Sequence, residues 1–274
     1  MENAPHTSIH AWTGDNRETY LEDMGNFYSA ARDPIFYAHH SNVDRLWTVW
    51  NKIGGRRKDH TDPDFLDAEF IFYDENARMV RVKVKDALDT TRLGVSYEKV
   101  KEDKLWLNYE PQPLGGTDTV TTKETIVKIG PAKENSTPVK VDGKLKSLVE
   151  RPSSIPQDLL EKEGEDVEEV LVLEEVMVPR NVVTHLAVFI NLPNADENTP
   201  ISCAEYVGSF VHIPHLFGSG TNNDTHSATV RFGITDNLVR LGLATSQSSD
   251  LLVTIVSKVS GGTITIKGIK IEYE

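Results

Sequence analysis

The chain has a single cysteine, Cys203, among 274 residues, so no internal disulfide can form and a cysteine-based zinc site is excluded. No apolar run approaches the length of a membrane span. Cations are the minority charge: 29 Lys and Arg against 42 Asp and Glu leave a net charge of −13, which argues against a nucleic-acid backbone or an anionic membrane as partner. A solvated acidic surface accounts for that balance. The opening Met1-Glu2-Asn3-Ala4-Pro5-His6 is neither a signal peptide nor a transit peptide, so an organellar address is not expected in these residues. No solenoid-type repeat is visible. The chain is otherwise ordinary globular material, 38% hydrophobic and 26% charged, enough for one large or two ordinary domains.

The patterning divides the chain into four segments. Residues 1–59 read as mostly helical. Asp33-Pro34 is a helix-start signal, an acceptor followed by a residue that needs no donor. Ile35, Phe36, Val43, Leu46, Trp47 and Trp50 then recur at helical spacing until Gly54-Gly55 stops the run. Residues 60–110 change period: Val80, Val82 and Val84 alternate with Arg81, Lys83 and Lys85, which predicts a strand with one buried face. Phe70–Tyr73 is its hairpin partner, with a turn at Asp74–Ala77. Residues 111–165 carry Pro111-Gln112-Pro113, Gly115-Gly116 and the start of an acidic run. They read as a linker, with a short strand near Ile126–Ile129. From 166 to 274, short apolar runs recur between turn signals: Val170–Val178, Leu186–Leu192, Tyr206–Ile213, Ala228–Ile234, Leu251–Val256 and Thr263–Tyr273. That spacing predicts an antiparallel β-sandwich, so the fold class expected is α+β.

Nine histidines are present, and two clusters could do chemistry. His6 and His10 are four apart and project from one face of a helix that Asn3 can cap and Pro5 can start. Two such imidazoles can share a copper or zinc ion, although a short exposed helix with two solvated histidines has the same spacing. His39 and His40 are adjacent and point about 100° apart on a helix, so at most one easily joins a given metal. His40 has Phe36 and Val43 a turn away. A core histidine bonded to Asp44 or to the backbone is the plainer reading of that spacing. His212 and His215 flank Ile213-Pro214 and read as a structural pair, and Cys203 as a small core residue.

The stretch Asp33-Pro34-Ile35-Phe36-Tyr37-Ala38-His39-His40-Ser41-Asn42-Val43-Asp44-Arg45-Leu46-Trp47 resembles the second copper-binding signature of tyrosinases, catechol oxidases and molluscan-type haemocyanins. The opening Glu2-Asn3-Ala4-Pro5-His6, followed by His10, Trp12 and Gly14-Asp15, is similar to the plant polyphenol oxidase form of its other half. The resemblance implies a partial helical type-3 copper domain, a β-hairpin module, a linker and a C-terminal shielding sandwich. It implies that His6, His10 and His40 hold one copper of a pair, with His39 and Asp44 behind them. Glu2 falls where the family holds a water, Phe27 where a bulky residue gates the site, and Thr7 and Ala11 where monophenol and diphenol activity are tuned. Asp64–Phe70 looks like the family's Asp-Trp-Leu module with Phe65 in place of tryptophan, and Tyr97 stands alone where a Tyr-x-Tyr motif closes the catalytic domain. His185–Asn191 aligns poorly with the family's Lys-Phe-Asp-Val strand, whereas Glu205–Pro214 and Thr263–Glu274 are close to its pattern.

The resemblance further implies copper-dependent oxidation of o-diphenols to o-quinones by dioxygen, in the thylakoid lumen of a plastid. No nucleic acid or membrane span is involved. A second trio of ligands is not apparent, so one copper half-site and little activity of the chain alone are expected. The alternatives are a non-catalytic remnant whose sandwich binds or shields another oxidase, a mononuclear metal-binding fragment, and an oxygen carrier of haemocyanin type. Apolar surface is expected around Phe36, Trp47 and Trp50.

Overall fold

A computed structural model describes residues 2–18, 21–54, 57–101, 108–114, 125–160, 167–214, 225–244, 250–259 and 262–274. It divides into two units, one of Met1–Phe36 with Glu110–Glu274 and the other of Tyr37–Tyr109.

The chain opens not in an α-helix but in a π-helix, Glu2–Thr7, with Pro5 inside it. Proline has no N–H for the ordinary backbone bond, which disfavours regular α-winding there. Winding tightens into α1 (Ser8–Thr13), which Thr7 precedes with helical backbone angles and no side-chain cap, so the cap expected at Asn3 has no counterpart at the start of α1. The long helix α2 (Ile35–Ile53) starts where the sequence predicts: the Asp33 carboxylate accepts the Ile35 N–H at 3.0 Å. It ends at Gly54, whose φ of 81° is costly for a side chain with a Cβ. Trp47 stacks on Trp50 with centroids 4.8 Å apart and lies parallel to the His60 ring. Its indole N–H donates to Asp59 at 2.7 Å, and the same oxygen accepts from Asn51 at 2.8 Å. The apolar surface expected around Phe36, Trp47 and Trp50 is thus half-buried, and the large apolar side chains exposed near the start of α2 are Ile35 and Tyr37.

After α3 (Pro63–Asp67) the predicted hairpin is present: β1 (Glu69–Tyr73) pairs antiparallel with β2 (Met79–Lys83), placing Phe70 opposite Val82 and Phe72 opposite Val80. Asp74 organises the turn by accepting the N–H groups of Asn76 and Arg78, both at 2.9 Å. Two expectations need correction here. Val84 does not extend β2 but begins α4 (Val84–Ala87). The expected buried face is at most half-buried, with β1 exposed throughout, because this two-stranded sheet has no second described sheet in its unit to lie on.

The sandwich begins earlier than expected. The segment 111–165, read as linker, contains β3 (Val139–Val141), β4 (Lys144–Val149) and the short α5 (Gln157–Leu160). The strand expected near Ile126–Ile129 reduces to one parallel bridge between Val127 and Ser147. The six predicted apolar runs appear as β5 (Glu169–Pro179), β6 (Thr184–Ile190), β7 (Tyr206–His212), β8 (Thr225–Gly233), β9 (Leu251–Val259) and β10 (Ile264–Tyr273), with α6 (Thr235–Arg240) between β8 and β9. Two antiparallel four-stranded sheets result, ordered β3-β10-β5-β8 and β4-β9-β6-β7. The chain changes sheet at the tight turn between β3 and β4. Between the sheets lie Leu171, Leu173, Leu186, Val188, Ile255 and Ile266, none of them exposed. Each such side chain contributes about 1.5–3 kcal/mol by leaving water. Cys203 is buried, and that burial pushes its thiol pKa up.

One ion pair crosses this apolar packing. Arg151 grips Glu169 through two bonds of 2.7 and 2.8 Å, both side chains almost fully buried, and donates further to the Leu243 carbonyl at 3.0 Å. Glu169 in turn donates its own N–H to the Thr235 hydroxyl, so the pair ties β5 to the start of α6. Removing one partner strands a buried charge. Arg151→Met is therefore expected to lower unfolding free energy by about 3–5 kcal/mol, with much of it restored in Arg151→Met/Glu169→Leu. Urea denaturation of both variants checks this; equal losses would contradict it.

His185 is buried on β6 with its Nε2 3.0 Å from the Ser209 hydroxyl. Burial first, and the Lys258 charge second, hold its pKa below the usual imidazole value. The folded chain then binds fewer protons at this ring than the unfolded chain does. Its contribution is present above the ordinary pKa and is lost as pH falls below it. Stability measured by denaturation at pH 7.5 and at pH 5 should fall less in His185→Gln than in the parent chain.

Candidate metal centre

His6 lies in the last turn of the π-helix and His10 in α1, so the change of winding still leaves both imidazoles together. Their rings meet edge to face with centroids 4.9 Å apart, and their liganding nitrogens lie within 4.8 Å. His10 is 4% exposed, and its Nδ1 lies 2.8 Å from the carbonyl of Met24, itself fully buried. A carbonyl only accepts, so Nδ1 carries the proton. The Nε2 of the neutral ring then holds the lone pair that a metal needs. Phe36 presents its ring obliquely to His10, at 5.9 Å between centroids.

Two glycines make the Met24 contact possible. A Cβ at Gly14 would come within 2.6 Å of the Leu21 carbonyl and 2.8 Å of the Gly25 Cα; one at Gly25 would come within 2.5 Å of the Leu21 side chain. Only with both positions bare can the segment 21–25 lie against the end of α1. Gly14 figures in the sequence only as part of the family resemblance, and Gly25 and Met24 give no sign of this role, because a contact across fourteen positions leaves no periodic trace.

The other expected residues are spread over several elements. Thr7 is buried and Ala11 half-buried, while Phe27 is half-exposed. The Glu2 side chain lies outside the described residues. On α2, His39 is 7% exposed and His40 is half-buried, with ring centroids 5.5 Å apart. Asp44 accepts a hydrogen bond from the Tyr97 hydroxyl, the tyrosine expected to close the catalytic domain. Burial, and then that carboxylate, push the Tyr97 phenol up to about 12, so it stays protonated and donating. Beside this contact Arg45, Thr48 and Lys52 of α2 and the backbone run Tyr97–Lys101 line a hollow of about 390 Å³.

The remaining described histidines are engaged elsewhere: His60 against Trp47 and Phe65, His185 at Ser209, and His212 stacked on His226 at 5.3 Å. His215 lies outside the described residues. As a donor set, neutral imidazoles with one tautomer fixed from behind suit copper or zinc and do not suit the hard cations that prefer oxygen.

Comparison with known proteins agrees along the chain. Residues 1–53 match the common central domain of tyrosinase, 59–112 the polyphenol oxidase middle domain, and 137–273 the chloroplastic polyphenol oxidase C-terminal domain. The latent polyphenol oxidase of Prunus armeniaca is 43% identical over 275 residues, covering all of this chain and 44% of its own length. A polyphenol oxidase of Malus domestica is 40% identical over all of this chain and 46% of its own length. The solved structure of latent apple tyrosinase superposes with a TM-score of 0.82 at 39% identity, over 99% of this chain and 56% of that one. Latent aurone synthase gives 0.79 at 31% identity, over 99% and 51%. The chain therefore spans about half the length of the relatives it matches. With the central, middle and C-terminal domains matched in their expected order, the chain belongs to the plant polyphenol oxidase family.

Proposed function

We propose that this chain supplies the imidazoles of one copper in an oxidase of o-diphenols. The observation that carries the reading is the His6–His10 pair with the His10 tautomer set by the Met24 carbonyl. The third imidazole is assigned to α2. The copper signature names His40, with its neighbour His39 behind it, and the two are separable by experiment. Asp44 would act from behind on the same helix, secured by Tyr97.

Copper bound by imidazoles cycles between two oxidation states and so lets dioxygen take two electrons and two protons from each catechol, giving an o-quinone. The protein's share is to fix ring angles, to exclude surplus water and to guide the phenol. His10 is held by Met24, Phe27 is the proposed gate, Thr7 is proposed to tune monophenol against diphenol activity, and Glu2 is proposed to hold a water. Among the relatives are catechol oxidase B of Solanum tuberosum, aureusidin synthase of Antirrhinum majus and (+)-larreatricin hydroxylase of Larrea tridentata. Catechols are therefore proposed as the substrate class, with no one diphenol singled out. Several relatives are named chloroplastic, which supports a plastid location, proposed as the thylakoid lumen. The other copper's ligands are proposed to lie outside this chain.

Copper titration of the full chain tests the assignment. His6→Ala and His10→Ala should each weaken binding by more than the roughly 10–100-fold that loss of a supporting group costs, and Gly25→Ala, which displaces Met24, by about that supporting amount. Of His39→Ala and His40→Ala, the ligand's replacement should match His10→Ala and the other should not. Unchanged affinity in His6→Ala or His10→Ala would remove the basis for the proposal. Oxygen uptake with catechol by the copper-loaded chain should not exceed the free-copper control. Uptake above that control, lost on replacing His10, would show that a complete pair assembles.

A further inference from the structure

The short stretch before residue 115 is bound to the sandwich almost wholly through its backbone. Gln112 forms a parallel bridge with Cys203, and the Ala204 N–H donates to the Gln112 carbonyl at 3.1 Å. The Leu114 N–H sits 3.0 and 3.2 Å from the two carboxylate oxygens of Glu205. Glu205 is 4% exposed, whereas the side chains of Gln112, Pro113 and Leu114 face solvent.

The receiving loop is braced on its other sides. Asn237, buried in α6, donates from one amide nitrogen to the Ala204 and Tyr206 carbonyls at 2.9 and 2.8 Å. The Glu205 carbonyl accepts from Ile190 at 2.9 Å, and the Cys203 carbonyl from Tyr206 at 3.3 Å. Those carbonyls are therefore occupied from within the sandwich. The Ala204 N–H faces the incoming strand, as does the Glu205 carboxylate, which also meets the Cys203 thiol of its own loop. A carboxylate so deeply buried needs donors, and an extended backbone supplies one whatever its side chains are.

We propose that Cys203–Tyr206 is a preformed slot for an extended backbone, and that Glu110–Leu114 occupies it as a non-covalent tether. A chain cut between residues 115 and 124 keeps its two pieces together through this slot. The contact does not depend on any metal, so it stands or falls separately from the copper assignment. The π-helix also packs against β7, which makes a strap-specific variant essential to the test.

The experiment places a specific protease sequence within residues 115–124 of the full chain, cuts it, and follows the pieces by size-exclusion chromatography. The pieces are expected to elute together at the mass of the uncut chain. Leu114→Pro deletes the N–H, leaves Glu205 in place and changes an exposed side chain. It is expected to weaken association by about tenfold or more, as loss of a bond to a charged group does. Glu205→Gln keeps an acceptor without the charge and should dissociate faster than the parent, with an unaltered melting temperature of the uncut chain confirming its fold. Separation of the parent's pieces after cutting, or co-elution undiminished in both variants, would overturn the tether.

Discussion

A carbonyl oxygen can accept a hydrogen bond and cannot give one, and the candidate metal centre depends on that asymmetry. The Met24 carbonyl, 2.8 Å from His10 Nδ1, decides which nitrogen of a buried ring is protonated and which is free to coordinate. That carbonyl is in place because Gly14 and Gly25 let two backbone segments touch where any Cβ would hold them apart. His6 is then brought in by helical spacing alone. The proposed chemistry therefore rests on two absent methyl groups as much as on the imidazoles.

The sandwich is organised on a different principle. Its centre is apolar and closely filled, and three of its polar exceptions are answered: Arg151 by Glu169, His185 by Ser209, and Asn237 by two carbonyls of one loop, whereas the buried hydroxyls of Thr184 and Thr254 have no hydrogen-bond partner among the described residues. Each of the three answered groups joins separate elements, so these polar groups sit at junctions while apolar ones fill the layers between them. Glu205 extends that pattern to the edge, where its partner is the backbone of the segment leading away to the other unit.

Much of the fold is legible in the sequence. The start of α2 can be read from Asp33-Pro34 and its end from Gly54, and six strands from apolar runs between turn signals, because burial on one or both faces imposes a period on the sequence. The π-helix cannot, since its spacing differs too little from α over six residues. Strands β3 and β4 escape notice because alternate lysines and surrounding proline, glycine and threonine make them resemble a linker; their pairing with β10 and β9 supplies the order that composition conceals. The hairpin's register is readable and its burial is not, because alternation reports which residues share a face and not whether anything covers it. In the candidate site the histidines are visible as residue types, while Met24, Gly14 and Gly25 act through backbone and carry no signature of their function.

The most direct test is the tautomer of His10, read from the nitrogen-15 shifts of its ring in the metal-free chain at neutral pH. A neutral ring protonated at Nδ1, the less usual form, is expected, with Nε2 shifting when copper(I) is added. A ring protonated at Nε2, or Nε2 unmoved by the metal, would contradict it.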